Sequence, residues 1–496
     1  MLRRLLLLAA AVVAVLIVVV AGAAYWFLAR DGFRQALESQ ATAWLGHPVH
    51  IGSARAQFLP RLAVSLTNIR VGDPAQLTLD EVDLASDLRP LFSGRIENAD
   101  VTVSGSRIDL PLPFGLPQSS DNDEAAVSSA PAVRIVSIRS IALRSVRLKS
   151  RGREIVVSAD SAYGGTALAV KSLTAETGGT RLKAEGIIAL SPRIDARLNA
   201  TANRLDLDEL MALADAFAPA AGGGSRQTKG QTPRIGAGIT ADEVTAGRVK
   251  VQKFVTTFMR DGESIALSPT QFEAFGGRYA GSIVGRLGTQ LSATLEARVE
   301  NIDVAQLAAF GGSPDSITGT LSGSGKFSGA GSDFTQVLRS VRGTGSAAII
   351  DGSIKRLHFV RTVILFFGRP APDADESTDR FDRLEAKFSL ANRIVNADAF
   401  ALHSQDADTA GLGTLNLDTD ALNGRADLTL SEALSKQAGT DLIRFTREGN
   451  RVVLPAAVGG TLSAPRLTID VAAATKRGLR NEAERRIKGL FDGLGR

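Results

Sequence analysis

The chain has 496 residues, 57 Lys plus Arg against 52 Asp plus Glu, and no Cys. A balance of +5 spread over that length is too mild for a nucleic-acid partner, and the missing thiols exclude disulfides, thiolate metal sites and Cys nucleophiles. Aromatic residues make up only 5% while Gly reaches 49, which suits many thin, repeated side-chain layers better than one aromatic-rich core.

From Leu5 to Ala29 no residue is charged, and Arg4 and Arg30 bound the run. As a helix it spans roughly 37 Å, enough for a hydrocarbon core of about 30 Å. Leu5, Leu16 and Val20 lie within this predicted anchor, and Tyr25, Trp26 and Phe27 fall where an aromatic belt meets the far interface. Arg3 and Arg4 keep the short end in the cytoplasm, so the rest of the chain is exported. The competing reading is a cleaved signal peptide ending near Ala21-Gly22-Ala23, which exports the chain equally well.

Residues 31–47 predict an amphipathic helix with Phe33, Leu37, Ala41, Trp44 and Leu45 on one face, ended by Gly46 and Pro48. It either lies on the membrane surface or caps the following sheet.

After Pro48 the dominant period is two. Leu62, Val64 and Leu66, then Val82 and Leu84, then Val101 and Val103 alternate with small or polar residues, the mark of strands with one apolar face. Ile135 to Leu148 continues with parity shifts that predict turns or bulges between short strands. Asp261-Gly262 and Asn423-Gly424 predict tight hairpin turns. Residues 111–133, 219–234 and 369–380 are rich in Pro, Gly, Ser or Asp and read as loops or linkers. Leu205-Asp206-Leu207-Asp208-Glu209-Leu210 parallels Ile302-Asp303-Val304-Ala305-Gln306-Leu307, each closing a strand and opening a short helix.

The expected organisation is a stub and anchor at 1–30, the helix at 31–47, a β-module at 48–218, a linker at 219–234, a second β-module at 235–473 and a basic amphipathic helix at 474–496. The fold class is mainly β, an elongated, twisted antiparallel sheet curled into an open groove with a few short amphipathic helices. Closure of the apolar face by ordinary packing into a sandwich or solenoid is the competing expectation.

Motifs for chemistry are weak. Gly325-Lys326 lacks the Ser or Thr of a phosphate loop, and Gly343 to Ala348 has dinucleotide-like spacing but runs into Ile349-Ile350, a strand. Asp373, Asp375 and Glu376 are too few oxygen donors for calcium, and His47 with His50 lacks further metal ligands. The apolar run Leu357 to Phe367 reads as core or as a plug.

Phe58-Leu59-Pro60-Arg61 with Leu88-Arg89-Pro90-Leu91-Phe92-Ser93-Gly94-Arg95-Ile96 resembles the N-terminal region of AsmA-like envelope proteins. Gly276 to Gly281, Ile317 to Gly323, Leu338 to Gly345, Ile350 to Ile354 and Gly459 to Pro465 resemble the C-terminal region of that family. The resemblance implies a single-pass inner-membrane protein with its bulk in the periplasm and an apolar β-groove. It implies phospholipid or another acyl-chain lipid as cargo and a role in outer-membrane assembly. It brings no catalytic residues, cofactor or metal, and the expectation is no enzymatic activity. The groove candidates are Leu62, Val64, Leu66, Val82, Leu84, Val101 and Val103. A scaffold that assembles envelope proteins without lipid cargo is the alternative, and an exported hydrolase with a dispersed site is a third.

Overall fold

The computed structural model describes residues 34–35, 37–39, 41–42, 46–57, 61–91, 95–110, 134–217, 232–355, 378–437, 446–461 and 463–494. They are mainly strand, and they divide into two compact units, residues 1–250 with 259–262, and residues 251–258 with 263–496. The predicted anchor, including Leu5, Leu16, Val20, Tyr25, Trp26 and Phe27, lies outside the described residues, as does the run Leu357 to Phe367. Among the described residues no helix is long and apolar enough to cross a membrane.

The first unit contains β1 (Val49–Gln57), β2 (Leu62–Val71), β3 (Leu77–Ser86), α1 (Leu88–Leu91), β4 (Arg95–Ile96), β5 (Ala99–Ser104), β6 (Arg107–Leu110), β7 (Arg134–Ile135) and β8 (Ile138–Ser150). It continues through β9 (Arg153–Tyr163), β10 (Ala167–Thr177), β11 (Thr180–Ala189), β12 (Asp195–Asp206), α2 (Leu207–Phe217) and β13 (Arg234–Ala246). Strand β14 (Val249–Asp261) contributes residues to both units.

The second unit contains β15 (Ser264–Ala274), β16 (Gly277–Arg286), β17 (Leu291–Asp303), α3 (Val304–Phe310), β18 (Ile317–Gly331), α4 (Phe334–Arg339), β19 (Arg342–Lys355) and β20 (Thr378–Ala391). It ends with β21 (Ile394–His403), β22 (Ala407–Asn416), β23 (Leu422–Leu430), α5 (Glu432–Gln437), β24 (Arg447–Glu448), β25 (Arg451–Thr461), β26 (Ala464–Ile469) and α6 (Val471–Leu494).

Most strands pair antiparallel with their sequence neighbours, but the sheet is mixed, which corrects the antiparallel expectation. Strand β8 runs parallel to β5 and β6, and β13 runs parallel to β12. Parallel neighbours need a long crossover, and the Pro-rich stretch at 111–133 and the stretch from α2 to β13 supply the length. Turn dipeptides mark hairpins only, so this signal was absent from the alternation.

Two other expectations change. Ile138 to Ser150 is one strand with a bulge at Ser145, whose φ is 53°, and not several short strands. Asn423-Gly424 is not a turn: both residues lie inside β23, opposite Thr414 and Gly413. The chain reverses earlier, where the Asn416 side chain accepts from the Asp418 and Thr419 amides at 2.8 and 3.2 Å. Gly424 is needed for closeness, because a Cβ there would stand 2.8 Å from the Leu412 carbonyl oxygen.

Strand ends turn into helices by one device. Asp303 accepts from the Ala305 and Gln306 amides, Asp206 from Glu209, Asp333 from Gln336 and Asp470 from Ala473. Each carboxylate satisfies an amide that lacks a partner in the first helical turn. The paired motifs at 205–210 and 302–307 share this cap, with Leu205 and Ile302 both buried.

Among the described residues, closed cores sit in two places. In the first unit Val49, Ile51, Ile69, Val71 and Val82 form a cluster against which Leu37 and Ala41 pack. The helical residues before β1 therefore cap the sheet, and Glu38 Oε1 and Thr42 Oγ1 take the Ile51 and Val49 amides at 2.7 and 3.0 Å. In the second unit Leu428, Leu430, Val452, Leu454 and Leu467 form a cluster that Leu434 of α5 joins.

Candidate functional site

Strand register decides which side chains share a face, because directly paired residues point the same way. In the first unit one row of partners reads Ala56, Val64, Leu84, Val101, Ile141, Ser161, Val170, Gly186, Leu198 and Ala237 across successive strands. Leu66 pairs with Val82, and Val82 with Val103, in the adjacent row. Leu62 lies on the same side, so all seven residues expected to line a groove share one apolar face. They do not share one environment: Val82 is buried, whereas Leu84 is 40% exposed.

The second unit repeats the arrangement. Leu267, Ile283, Leu295, Phe327, Gly343, Leu390, Val395, Leu415 and Leu422 form one row across nine strands. The row on the opposite face reads Ser282, Glu296, Lys326, Thr344, Ser389, Asn396, Thr414 and Asn423, without one apolar residue. A single layer of sheet thus separates an oily surface from a charged one. The sequence offers no groove candidates in this unit because Gly stands where alternation calls for a large side chain, as at Gly281, Gly325, Gly343 and Gly345.

Those glycines have a common purpose. A Cβ at Gly345 would lie 2.7 Å from the Phe388 ring, and one at Gly343 would lie 2.6 Å from the Phe327 ring. The rings lie close over the bare backbone of the neighbouring strand, which shelters them on that side without a second layer of protein. Phe327 and Phe388 stack with centroids 6.5 Å apart, and Phe272 stacks on Tyr279 at 4.3 Å. Burial pushes the Tyr279 hydroxyl above its ordinary pKa, as expected for a phenol held among apolar groups. Thr256 and Thr270 are buried hydroxyls on two strands that satisfy each other at 2.8 Å.

The charged face is neutralised by its own pairs. Arg144 grips Asp160 through two contacts of 2.8 and 3.0 Å, Lys326 meets Glu296 at 2.6 Å, and Arg298 meets Glu300 at 2.9 Å. The hydrogen bond from Arg144 holds the Asp160 carboxyl below its usual range. Two open depressions of about 780 and 1000 Å³ lie chiefly on this face of the second unit, floored by Ser324, Ser346 and Ala348 between Arg298 and Lys387. A twisted sheet is saddle-shaped and therefore hollow along one diagonal on each side, which accounts for hollows on the polar side.

Asp408 joins β22 to its neighbours. Burial raises its pKa, but hydrogen bonds from His403 at 3.0 Å and Arg451 at 2.7 Å outweigh that and hold it low. Arg451 also donates to the Leu430 and Thr429 carbonyls, so the pair staples strands together. Among the described residues no cluster of three metal-ligating side chains occurs. No family model matches the chain, and no curated protein or solved structure matches it either.

Proposed function

We propose that the chain shields lipid acyl chains on its apolar sheet face as a non-enzymatic protein of the AsmA type, contributing to phospholipid transport and outer-membrane assembly. One observation carries the reading: the row of partners that runs from Leu267 in β15 to Leu415 in β22 holds no charged residue, and among the described residues no second sheet packs on it. Ordinary domains bury such a face against another layer. Here Ile283 in the middle of the face is 37% exposed, which costs about 25 cal/mol for each Å² of apolar surface left in water. Acyl chains remove that cost, and their headgroups stay at the polar rims.

In this reading the face is the floor of an open groove, the run Leu5 to Ala29 is the inner-membrane anchor, and the bulk of the chain is periplasmic. The family resemblance in Leu88 to Ile96 and Leu338 to Gly345 supports the same assignment.

Photocrosslinkers at Leu84, Ile283 and Leu295 of the full-length protein in cells test it. Lipid adducts are expected at these sites and not at Thr344 or Lys326 on the charged face. Ile283→Asp with Leu295→Asp should remove the adducts. Equal labelling of both faces, or none, would leave the scaffold reading in possession.

A further inference from the structure

The rings on the apolar face of the second unit follow a plan. Next to the row through Ile283 lies one that reads Gly281, Ala297, Gly325, Gly345, Phe388 and Ala397. Rings occupy its bare positions: a Cβ at Gly281 would meet the Tyr279 hydroxyl oxygen at 2.5 Å, and one at Gly325 would meet the Phe327 ring at 2.6 Å. The row after it is different. Tyr279, Val299, Gly323, Ala347, Ala386 and Phe400 are successive partners from β16 to β21, so two rings bound four smaller residues. The atoms nearest to a Cβ at Gly323 belong to Ser346 and Ala347 of the paired strand, and none belongs to a ring. Leu321, Ile349 and Leu384 form the row on the far side.

These rows outline a slot one side chain wide, walled by Phe327 and Phe388 on one flank and by aliphatic residues on the other. From Tyr279 to Phe400 it crosses five strand spacings, roughly 24 Å at about 4.8 Å each. Its two ends are built differently. Phe272 backs Tyr279 with ring centroids 4.3 Å apart, and Phe254 stands 6.5 Å behind that, whereas past Phe400 the row returns to Gly411 and Ala426. One phenyl ring, and not the end of the sheet, therefore stops the slot. Tyr279 also brings a hydroxyl that makes no hydrogen bond among the described residues. The floor and walls carry no other side-chain donor, so an extended peptide would leave its amides unpaired, and a helix about 10 Å across exceeds one row. A single hydrocarbon chain meets neither obstacle.

We infer that Tyr279 and Phe400 set the length of acyl chain that this face accepts. The chain lies across β17 to β20 over Gly323 and Ala347, with its carbonyl end at the Tyr279 hydroxyl and its methyl end against Phe400. This selection rests on the acyl-chain reading proposed above.

Competition between chain lengths tests it. Full-length protein in detergent is incubated with an equimolar mixture of lauroyl, palmitoyl and arachidoyl lysophosphatidylcholine and repurified, and the retained lipid is quantified by mass spectrometry. Palmitoyl lipid is expected to predominate. Phe400→Ala opens the slot onto Gly411 and should raise the ratio of arachidoyl to palmitoyl lipid about tenfold. Ala347→Leu bars the middle and should shift the balance from palmitoyl to lauroyl lipid by about the same factor. General loosening of the sheet cannot move the preference in both directions. Tyr279→Phe keeps the ring and should lower total retention about fivefold with the ratios unchanged; undiminished retention overturns the placing of the carbonyl end. Ratios unmoved by Phe400→Ala and Ala347→Leu overturn the length selection while the acyl-chain reading stands. Retention no greater than in Ile283→Asp with Leu295→Asp sinks both.

Discussion

Strands β22 to β26 and strands β15 to β21 carry the same pattern on the same face, yet only the former are closed. At the C-terminal end Leu434 joins the cluster on the apolar side, and α6 lies against the other side, where Arg477 reaches Asp427 at 2.8 Å. Leu428, Leu430 and Leu454 there are fully buried. Along β15 to β21 Ile302 and Phe381 are buried but Ile283 is 37% exposed, and rings laid over glycines stand in for a covering layer. An apolar face is therefore not in itself a core. It becomes one where helical residues near it in sequence fold back over a packed cluster, as Leu434 does here and Leu37 and Ala41 do in the first unit.

The largest expected difference follows from that contrast. Leu454→Ala should cost about 2–5 kcal/mol by urea unfolding of the full-length protein, because it opens a cavity in a packed cluster. Ile283→Ala should cost under about 1.5 kcal/mol, since its side chain already meets solvent. Equal losses would mean that the middle face is covered as tightly as the end. A smaller effect sharpens the role of the glycines. Gly345→Val should lift the Phe388 ring off its strand and cost about 1–3 kcal/mol through overpacking, read as a lower urea midpoint. An unchanged midpoint would show that the ring does not depend on that bare backbone.

The smallest effect concerns the charged clamp at the opening of the first unit. Arg61 reaches Asp87 at 3.0 Å and Asp100 at 2.5 Å, and Arg139 also holds Asp100. The hydrogen bond from Asn98, with that from Arg61, holds the Asp87 carboxyl below its ordinary range; at Asp100 burial acts upward, but Arg139 and Arg61 prevail and lower it too. Depressed carboxylates stabilise the folded chain above their unfolded pKa. That contribution fades as pH falls through the lower folded values. Amides of residues 95–104 should therefore lose hydrogen-exchange protection as pH falls below the ordinary carboxylate range, before those of β23 do. Simultaneous loss would remove the clamp's role.

Much of this layout was legible. Period-two alternation gave β2, β3 and β5 together with their common face, and the parallel stretches at 205–210 and 302–307 announced their helices. Gly46, with φ of 71°, ends the helical residues before β1 as its position foretold. Parallel pairing was hidden, because it depends on which strand a crossover returns to and not on any local residue. Asn423-Gly424 misled because a glycine demanded by close strand packing looks the same in sequence as one demanded by a turn. The rings of Phe327 and Phe388 escaped notice for a related reason: their partners are glycines on other strands, visible only once register is known.

Nearly every strand finds its partner immediately before or after it along the chain. In such a ladder each rung is supported only by adjacent rungs, so energetic effects of a change decay over one or two strands. A duplicated or deleted hairpin in the run β15 to β21 then alters the number of rungs without disturbing a shared centre. Reach becomes a quantity that evolution or an engineer can adjust in steps of about 4.8 Å per strand.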